Sequence, residues 1–140
     1  GEAKSLAQIY QLLWEQSELS VLEKSHNRAC QIQVPEGKIL FGREQLTKYF
    51  NGYITAFPKG SFRVHHWIVN EEVGKNNRIA MRWSYSAKHT GFGNFGEPTG
   101  APVVIMAITH TEMQEGLVVR EYHAIDEVSL WMQISSYSMR

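Results

Sequence analysis

The stretch FRVHHWIVNEEVGKNNRIAMRWSYSAKH, residues 62–89, contains two runs of alternating character on either side of a polar turn. The turn, Gly74-Lys75-Asn76-Asn77, has a composition typical of a reversal between strands. In the second run, polar Arg82, Ser84 and Ser86 are interleaved with large apolar residues. The apolar set is Ile79, Met81, Trp83 and Tyr85. Because successive side chains of a strand point to opposite faces, the pattern predicts a β-hairpin with one buried face.

A second hairpin is predicted further along the chain. Val103–Thr111 and Leu117–Ile125 flank a short turn at Gln114-Glu115-Gly116. The segment 91–100, which joins the two hairpins, holds four glycines and one proline and is predicted to be a loop. The amphipathic segment Asp126–Ile134 predicts either a stub of helix or a last irregular strand.

Upstream of residue 62 the apolar period is mostly helical. Leu6, Ile9, Leu12 and Leu13 predict an N-terminal helix, with the possibility of a second one at Val21-Leu22. Two short strands are predicted at Ala29–Val34 and Lys38–Phe41. A helix with an aromatic face is then predicted from Arg43 to Phe57, ending at Pro58.

Helices followed by long antiparallel strands predict an α+β fold rather than a doubly wound sheet. The 140 residues and 16.1 kDa are the size of one domain, spanning residues 1–140. We expect a curved antiparallel sheet of about six strands that wraps around the N-terminal helices. Such a sheet would enclose a cavity lined by Trp, Tyr and Phe side chains.

Composition excludes several classes of function. Fourteen basic and fourteen acidic residues balance without a basic run, which argues against a nucleic-acid or anionic-membrane partner. No stretch approaches the ~20 apolar residues of a membrane span. The single cysteine, Cys30, excludes an internal disulfide and suits a reducing compartment. The charged start Glu2-Ala3-Lys4 is unlike a secretory signal, so a cytoplasmic protein is expected.

Six short segments, in order, resemble those of a known family. They are Leu13-Trp14, Phe41-Gly42-Arg43-Glu44, Ala56-Phe57-Pro58, Arg78 to Trp83, the loop with Lys88-His89-Thr90-Gly91 and Pro98-Thr99-Gly100, and the ending Gly116, Tyr122, Asp126 and Gln133. The order and spacing resemble the SnoaL-like polyketide cyclases. The resemblance implies the cone-shaped α+β barrel shared with nuclear transport factor two and ketosteroid isomerase, and catalysis without metal or cofactor.

The chain departs from this pattern at several positions. Arg120 stands where the family usually has glutamate, Tyr122 where it has tryptophan, and Glu97 where it has the first proline of its loop. These departures concern the substrate and the reaction rather than the fold. Arg120 is expected either to pair at the surface with a glutamate such as Glu121 or to bring a cation to the cavity.

The resemblance assigns the catalytic roles to Asp126 and His110. In the family, an aspartate matching Asp126 is the general acid/base of an intramolecular aldol closure, and a histidine assists it. A carboxylate in a dry pocket can remove a proton beside a carbonyl and return it to the developing alkoxide. The alternatives are an N-cap role for Asp126 and an exposed strand-end position for His110.

Aromatic residues and one histidine are the candidates for substrate binding. Their alternatives are core packing for the aromatics and support of the glycine-rich loop for the histidine. The candidates are Trp14, Tyr53, Trp83, His89 and Tyr122. His65 and His66 would point to opposite faces of a strand, and His26 and His123 are expected to be surface or satisfied core residues, so no metal site is predicted.

The sequence therefore predicts a cofactor-independent cyclase-like or isomerase-like enzyme acting on a small aromatic or polyketide-derived carbonyl compound. The alternative is a non-catalytic small-molecule binding or dimerisation module of the same fold. A homodimer formed through the outer sheet face is expected in either case.

Overall fold

The computed structural model describes residues 1–139 and contains one mixed sheet with helices on one face. Its elements, in chain order, are α1 (Glu2–Gln16), α2 (Val21–Ser25), β1 (His26–Val34), a 3-10 turn (Pro35–Gly37), β2 (Lys38–Phe41), α3 (Gly42–Ile54), β3 (Ser61–Asn70), β4 (Asn77–Lys88), β5 (Pro102–Gln114), β6 (Leu117–Ile125) and α4 (Glu127–Ser138).

The six strands form a curved, unclosed sheet in the order β2-β1-β6-β5-β4-β3. Both predicted hairpins are present, as β3–β4 and β5–β6. The expectation of a wholly antiparallel sheet is wrong in one place, because β1 pairs with β6 in parallel. A parallel pair needs a long connection, and here nearly the whole domain supplies it. The α+β class and the six-strand sheet are confirmed.

One face of the sheet is buried against the helices. In β5 the odd-numbered residues Val103 to Met113 are buried and most of the residues between them are exposed. From the opposite side, α1 buries Leu6, Tyr10, Leu13 and Trp14, which recur at helical spacing. The resulting core lies between the helix layer and the inner sheet face.

The loop after β4 packs backbone to backbone against the end of α3, and glycine makes this approach possible. A Cβ atom on Gly91 would lie 1.8 Å from the carbonyl oxygen of Thr55, and one on Gly93 would lie 2.4 Å from that of Gly52. Neither position can hold a side chain without moving α3 or the loop. The glycine-rich loop is thereby fixed against the end of α3.

The last element, α4, is a regular helix of 12 residues, which decides between the two alternatives for this segment. Two of its residues, Leu130 and Ile134, are buried. It lies against β5 where β6 has already ended.

Candidate functional site

A buried polar cluster lies inside the cone, where β6 faces α1. Its centre is Glu121, whose side chain is fully enclosed. The Oε1 atom accepts a hydrogen bond from Tyr10 Oη at 2.5 Å and lies 2.9 Å from Nε2 of both His26 and His123. The Oε2 atom accepts from Thr111 Oγ1 at 2.7 Å. One buried carboxylate is thus held by four side-chain partners.

The strand pairing brings these residues together from distant parts of the sequence. In β6, Glu121 and His123 have the same parity as the buried Ile125, so all three point inward. The parallel β1–β6 pairing places His26 opposite Val118, and from there its ring reaches Glu121. Tyr10 reaches the cluster from the buried face of α1.

The donors around Glu121 follow from which of the neighbouring atoms carry a hydrogen. An indole can only donate, so Trp83 Nε1 donates to Thr109 Oγ1 over 2.8 Å. Thr109 Oγ1 also lies 3.0 Å from Nδ1 of His123, and Ser25 Oγ lies 2.7 Å from Nδ1 of His26. Because carboxylate oxygens accept, Nε2 of each imidazole carries a hydrogen and donates to Glu121.

Burial and charge oppose each other at this carboxylate. Burial alone would raise the pKa of Glu121, but the charge interactions and hydrogen bonds of His123 and His26 outweigh it and hold the pKa well below its ordinary range. Burial, followed by the neighbouring Glu121 charge, raises the pKa of Tyr10 well above its usual value. Glu121 is therefore ionised and Tyr10 is a neutral phenol.

Aromatic rings fill the space beside the cluster. Trp14 is completely buried, and its ring centre lies between 4.9 and 5.9 Å from those of Phe50, Tyr53, Trp83 and Tyr85. Its indole N–H has no hydrogen-bond partner within residues 1–139. An unpaired buried donor costs free energy unless something accepts from it. The expected aromatic lining is present, but side chains occupy the space around Trp14.

A second hydrogen-bonded group lies where α3 meets α4. The buried Tyr53 hydroxyl donates to Oε1 of Glu127, and the Tyr49 hydroxyl lies 3.2 Å from that of Tyr53. Because Tyr53 gives its hydrogen to Glu127, Tyr49 is the donor of the second bond. Burial raises the pKa of Tyr49 to about 12 and raises that of Tyr53 further. Both tyrosines are neutral donors, and Tyr49 and Glu127 are half-exposed.

The predicted position of Asp126 in an interior cavity is wrong. Asp126 is exposed and is the N-cap of α4, where its Oδ1 accepts a hydrogen bond of 3.0 Å from the backbone N–H of Ser129. Aspartate is favoured at an N-cap because its carboxylate satisfies an amide that the first helical turn leaves unpaired. The capping alternative describes its contacts, and its predicted catalytic role stays a prediction.

His110 and Tyr122 are not in the interior either. They lie opposite each other on β5 and β6, on the outward face of the sheet, with ring centres 6.3 Å apart. Together they line a groove of about 480 Å³ that crosses the strands. The expected position of Tyr122 beside the inner aromatics is wrong, because its side chain points outward. The exposed alternative describes His110, and its predicted catalytic role stays a prediction.

Arg120 lies in the same outer groove and pairs at the surface with a glutamate. Its Nη2 and Nε atoms donate to Glu112 over 2.7 and 3.2 Å. The hydrogen bond with Arg120 lowers the pKa of Glu112. The surface alternative for Arg120 therefore describes the structure, but the partner is Glu112, because Glu121 points inward.

The remaining predicted binding residues divide between the core and the loop. Trp14, Tyr53 and Trp83 all line the aromatic interior. His89 is buried in the glycine-rich loop, where Nδ1 lies 3.0 Å from Thr99 Oγ1 and the ring lies 5.2 Å from that of Phe57. Burial lowers the pKa of His89. These contacts fit the loop-supporting alternative.

Sequence reasoning missed Tyr10 and Glu121 and treated His26 and His123 as ordinary. The two histidines are satisfied core residues, one of the alternatives that had been expected for them. The sequence did contain a signal for this cluster. Glu121 and His123 alternate with Ile125 on the same face of an apolar strand, which makes two polar side chains point inward.

No group of three or more His, Cys, Asp or Glu side chains in residues 1–139 is arranged to hold a metal ion. None of the helices in that range is both long enough and apolar enough to cross a membrane.

Residues 4–134 match the family described as SnoaL-like polyketide cyclases, which covers nearly the whole chain. The chain belongs to the SnoaL-like polyketide cyclase family. The resemblance found in the short segments is confirmed by this match. No curated protein sequence matches this SnoaL-like chain significantly.

Solved structures share the fold at low sequence identity. AclR from Streptomyces galilaeus, a candidate hydroxylase, has a TM-score of 0.79 at 22% identity, with 95% of this chain and 80% of that chain covered. A candidate polyketide cyclase from Acidithiobacillus ferrooxidans has a TM-score of 0.79 at 15% identity, covering 98% and 96%. A Catenulispora acidiphila protein with a ketosteroid isomerase-like fold, in complex with trimethylamine, has a TM-score of 0.68 at 11% identity, covering 91% and 90%. For this SnoaL-like chain, these likenesses show the fold alone.

Proposed function

We propose that this chain is a cyclase-like enzyme that moves protons on a small carbonyl compound, and that the Glu121 cluster is its acid/base centre. One observation carries the proposal. Inside the cone, a buried, ionised carboxylate accepts from a phenol and lies within hydrogen-bond distance of two imidazoles. Perturbed titrating groups clustered in a dry interior are a mark of acid/base sites.

The reaction balances without an added reactant. A base removes a proton from the carbon beside one carbonyl, the resulting enolate carbon bonds to the carbon of a second carbonyl, and the alkoxide takes the proton back. Glu121 and the imidazoles of His26 and His123 hold the proton between the two steps. Tyr10 gives its single hydroxyl hydrogen to Glu121 in this structure, so its phenol would turn towards the substrate in order to donate to the oxygen on which charge develops.

The ligand would contact the same interior through Trp14. Tyr10 and Trp14 lie one turn apart on the buried face of α1, and both rings pack against Phe50. The unpaired indole N–H of Trp14 is suited to a carbonyl oxygen. Trp83 cannot offer its N–H in this way, because Thr109 already accepts from it. Trp14 and Tyr53 are therefore the proposed binding residues.

The test compares two carboxylates in one assay. The purified chain is incubated in D₂O with a panel of small ketones and 1,5-diketones, and loss of the α-proton signals and any ring closure are followed by ¹H NMR. We expect Glu121→Gln to lower the rate at least ~100-fold and Asp126→Asn to lower it less than ~3-fold, since Asn keeps the N-cap. Circular dichroism verifies that both variants fold.

If Asp126→Asn lowered the rate far more than Glu121→Gln, Asp126 would be the acid/base residue and the assignment to Glu121 would be wrong. Absence of exchange with the whole panel would favour the second candidate function, a non-catalytic binding module. The observation that favours this second candidate is the packed aromatic interior around Trp14. A bound ligand with no turnover, detected by a shift in the melting temperature, would then be the expected result.

We also propose a homodimer formed through the outer sheet face. Exposed apolar side chains of neighbouring strands lie together there: Ile68, Val104, Met106, Ile108 and Tyr122. Contiguous exposed apolar surface of this kind marks an interaction site. A two-fold dimer would cover it with the same face of a second copy.

A further inference from the structure

Hydrogen bonds fix three of the rings around Trp14 to the rest of the molecule, and these bonds differ in how well their acceptors are buried. Trp83 donates to Thr109, which is buried on β5. The Tyr85 hydroxyl donates to the backbone oxygen of Phe57 at 2.5 Å and accepts from the backbone N–H of Gly60 at 2.9 Å. Both anchors therefore end in sheet residues or in backbone.

Tyr53 is anchored differently. Its ring lies 5.7 Å from that of Trp14, and its hydroxyl donates to a side chain, the half-exposed Glu127 on α4. On the solvent side of Tyr53 lies the half-exposed Tyr49, and Phe95 packs against Tyr53 with ring centres 5.4 Å apart. Among the described rings that contact Trp14 and donate a hydrogen bond, Tyr53 is the one whose acceptor belongs to a partly exposed residue.

The helix that carries Glu127 buries few apolar side chains, and two hydrogen bonds from Gln133 tie it to Val104 of β5. Its apolar anchors are Leu130 and Ile134, together with the contact between Trp131 and Phe95, whose ring centres are 5.0 Å apart. Val128 and Met132 are exposed. Elements with few buried apolar contacts open at lower free energy than the core they cover. Opening at this point would separate Glu127, at the start of α4, from Tyr53 of α3, while the hydrogen bonds between Gln133 and Val104 hold the helix to β5.

We propose that ligands enter the cone between α3 and α4, and that the Tyr53–Glu127 hydrogen bond is the gate that must break to admit them to Trp14. The proposal rests on the proposed function insofar as it assumes a ligand in the interior. The gate would explain why the interior is packed although a ligand is proposed to bind there. The space for the ligand beside Trp14 would form only when α4 moves and Tyr53 turns. Glu127 then controls the entry of the ligand and takes no part in the chemical step.

The Trp14 indole N–H provides a direct measurement of this opening. It is buried and has no acceptor within the described residues, so its exchange with solvent requires the interior to open. The Trp83 indole N–H lies in the same core but is bonded to Thr109, so it reports global unfolding. Exchange of both indoles into D₂O is followed by ¹⁵N–¹H NMR on the full chain. No ligand is needed.

We expect Glu127→Ala and Tyr53→Phe each to accelerate exchange of the Trp14 indole at least ~5-fold while that of Trp83 changes less than ~2-fold. The estimate follows from the loss of one hydrogen bond to a charged group. Glu127→Gln keeps an acceptor for Tyr53 and is expected to have a smaller effect. Val128→Ala, an exposed neighbour on α4, is the matched control and is expected to leave both rates unchanged.

Two results would overturn the gate. One is an unchanged Trp14 rate in both Glu127→Ala and Tyr53→Phe, and the other is equal acceleration of the Trp14 and Trp83 indoles. Either outcome leaves the acid/base proposal standing, because that proposal is judged by α-proton exchange in Glu121→Gln. Conversely, loss of the acid/base assignment does not alter the indole rates.

Discussion

The side-chain amide of Gln133 makes both hydrogen bonds that a neighbouring strand would make with Val104. The Val104 N–H donates to Oε1 of Gln133 over 2.7 Å, and Nε2 of Gln133 donates to the Val104 carbonyl over 3.0 Å. Val104 lies on the part of β5 that extends past the end of β6. One residue of α4 therefore completes the sheet edge that β6 leaves uncovered.

Gln133→Leu is expected to lower the free energy of unfolding by about 2 kcal/mol, because it leaves the backbone N–H and C=O of Val104 without these partners. Urea denaturation measures the change. Gln114→Leu, at an exposed position, is the control and is expected to change stability by less than ~0.5 kcal/mol. Equal stability of the two variants would show that water replaces the Gln133 amide at no cost.

Asp126→Ala is expected to lower the free energy of unfolding by about 1 kcal/mol, whereas Asp126→Asn is expected to be nearly neutral. The reason is the hydrogen bond to the Ser129 amide, which Asn retains and Ala does not. Thermal denaturation of the two variants against the wild type is the measurement. Equal losses in both would mean that the negative charge, rather than the cap, is what stabilises α4.

Thr109→Val is expected to destabilise the fold by about 1–3 kcal/mol. The change preserves the shape of the side chain but removes the acceptor of the Trp83 indole and the partner of His123 Nδ1. Thr109→Ser, which keeps the hydroxyl, is the matched variant and should lose less. If Val and Ser proved equally stable in denaturant titrations, the hydroxyl would not matter to the buried network.

The depressed pKa of Glu121 predicts a loss of stability in acid. A carboxyl group whose pKa is lower in the folded state stabilises the fold above its unfolded value of ~4.3. That contribution is lost as the pH falls below ~4.3 towards the folded pKa. Between pH 5 and pH 3, Glu121→Gln should therefore flatten the dependence of unfolding free energy on pH by up to about 1.4 kcal/mol per pH unit.

The measurement is a series of urea titrations at fixed ionic strength. Glu18→Gln, at an exposed position on the surface, is the control and is expected to keep the wild-type slope. An identical slope for Glu121→Gln and wild type would show that the cluster takes up no proton in this range.

The proposed dimer is tested by two substitutions of equal exposure. Ile108 on the outer sheet face is 44% exposed, and Ile39 on the edge strand β2 is 43% exposed. Ile108→Glu is expected to weaken dimerisation at least ~10-fold, because a buried unpaired charge is costly, and Ile39→Glu is expected to have no effect. Sedimentation velocity at micromolar concentration decides, and a monomeric wild type would refute the dimer.

Periodicity and turn composition were enough to predict the order of the helices and strands. The hairpins at 62–89 and 103–125 could be read from local patterns, because alternation and turn residues are properties of neighbouring positions. The parallel pairing of β1 with β6 could not be read in this way. It joins segments some ninety residues apart, and no local pattern states which strands meet.

The site was harder to predict than the fold, for a reason that Tyr122 illustrates. Its parity within β6 is opposite to that of Glu121 and His123, so it faces outward, whereas Trp83 on β4 faces inward. Alternation groups the residues of one strand into two faces, but the register between strands decides which face meets the core. Asp126 was misplaced because family resemblance assigns a role, whereas the start of α4 fixes the direction of the carboxylate.

The pairing of β1 with β6 also has a consequence for the order in which the molecule forms. His26 and Tyr10 come from the start of the chain, and Glu121 and His123 come from near its end. A growing polypeptide that has not reached β6 holds the first pair without the carboxylate that satisfies them. Closing so long a loop is slow compared with forming hairpins. The assembly of this cluster is therefore expected to be a late event in folding, and an N-terminal fragment that lacks residues 117–125 would expose an unfinished sheet edge at β1.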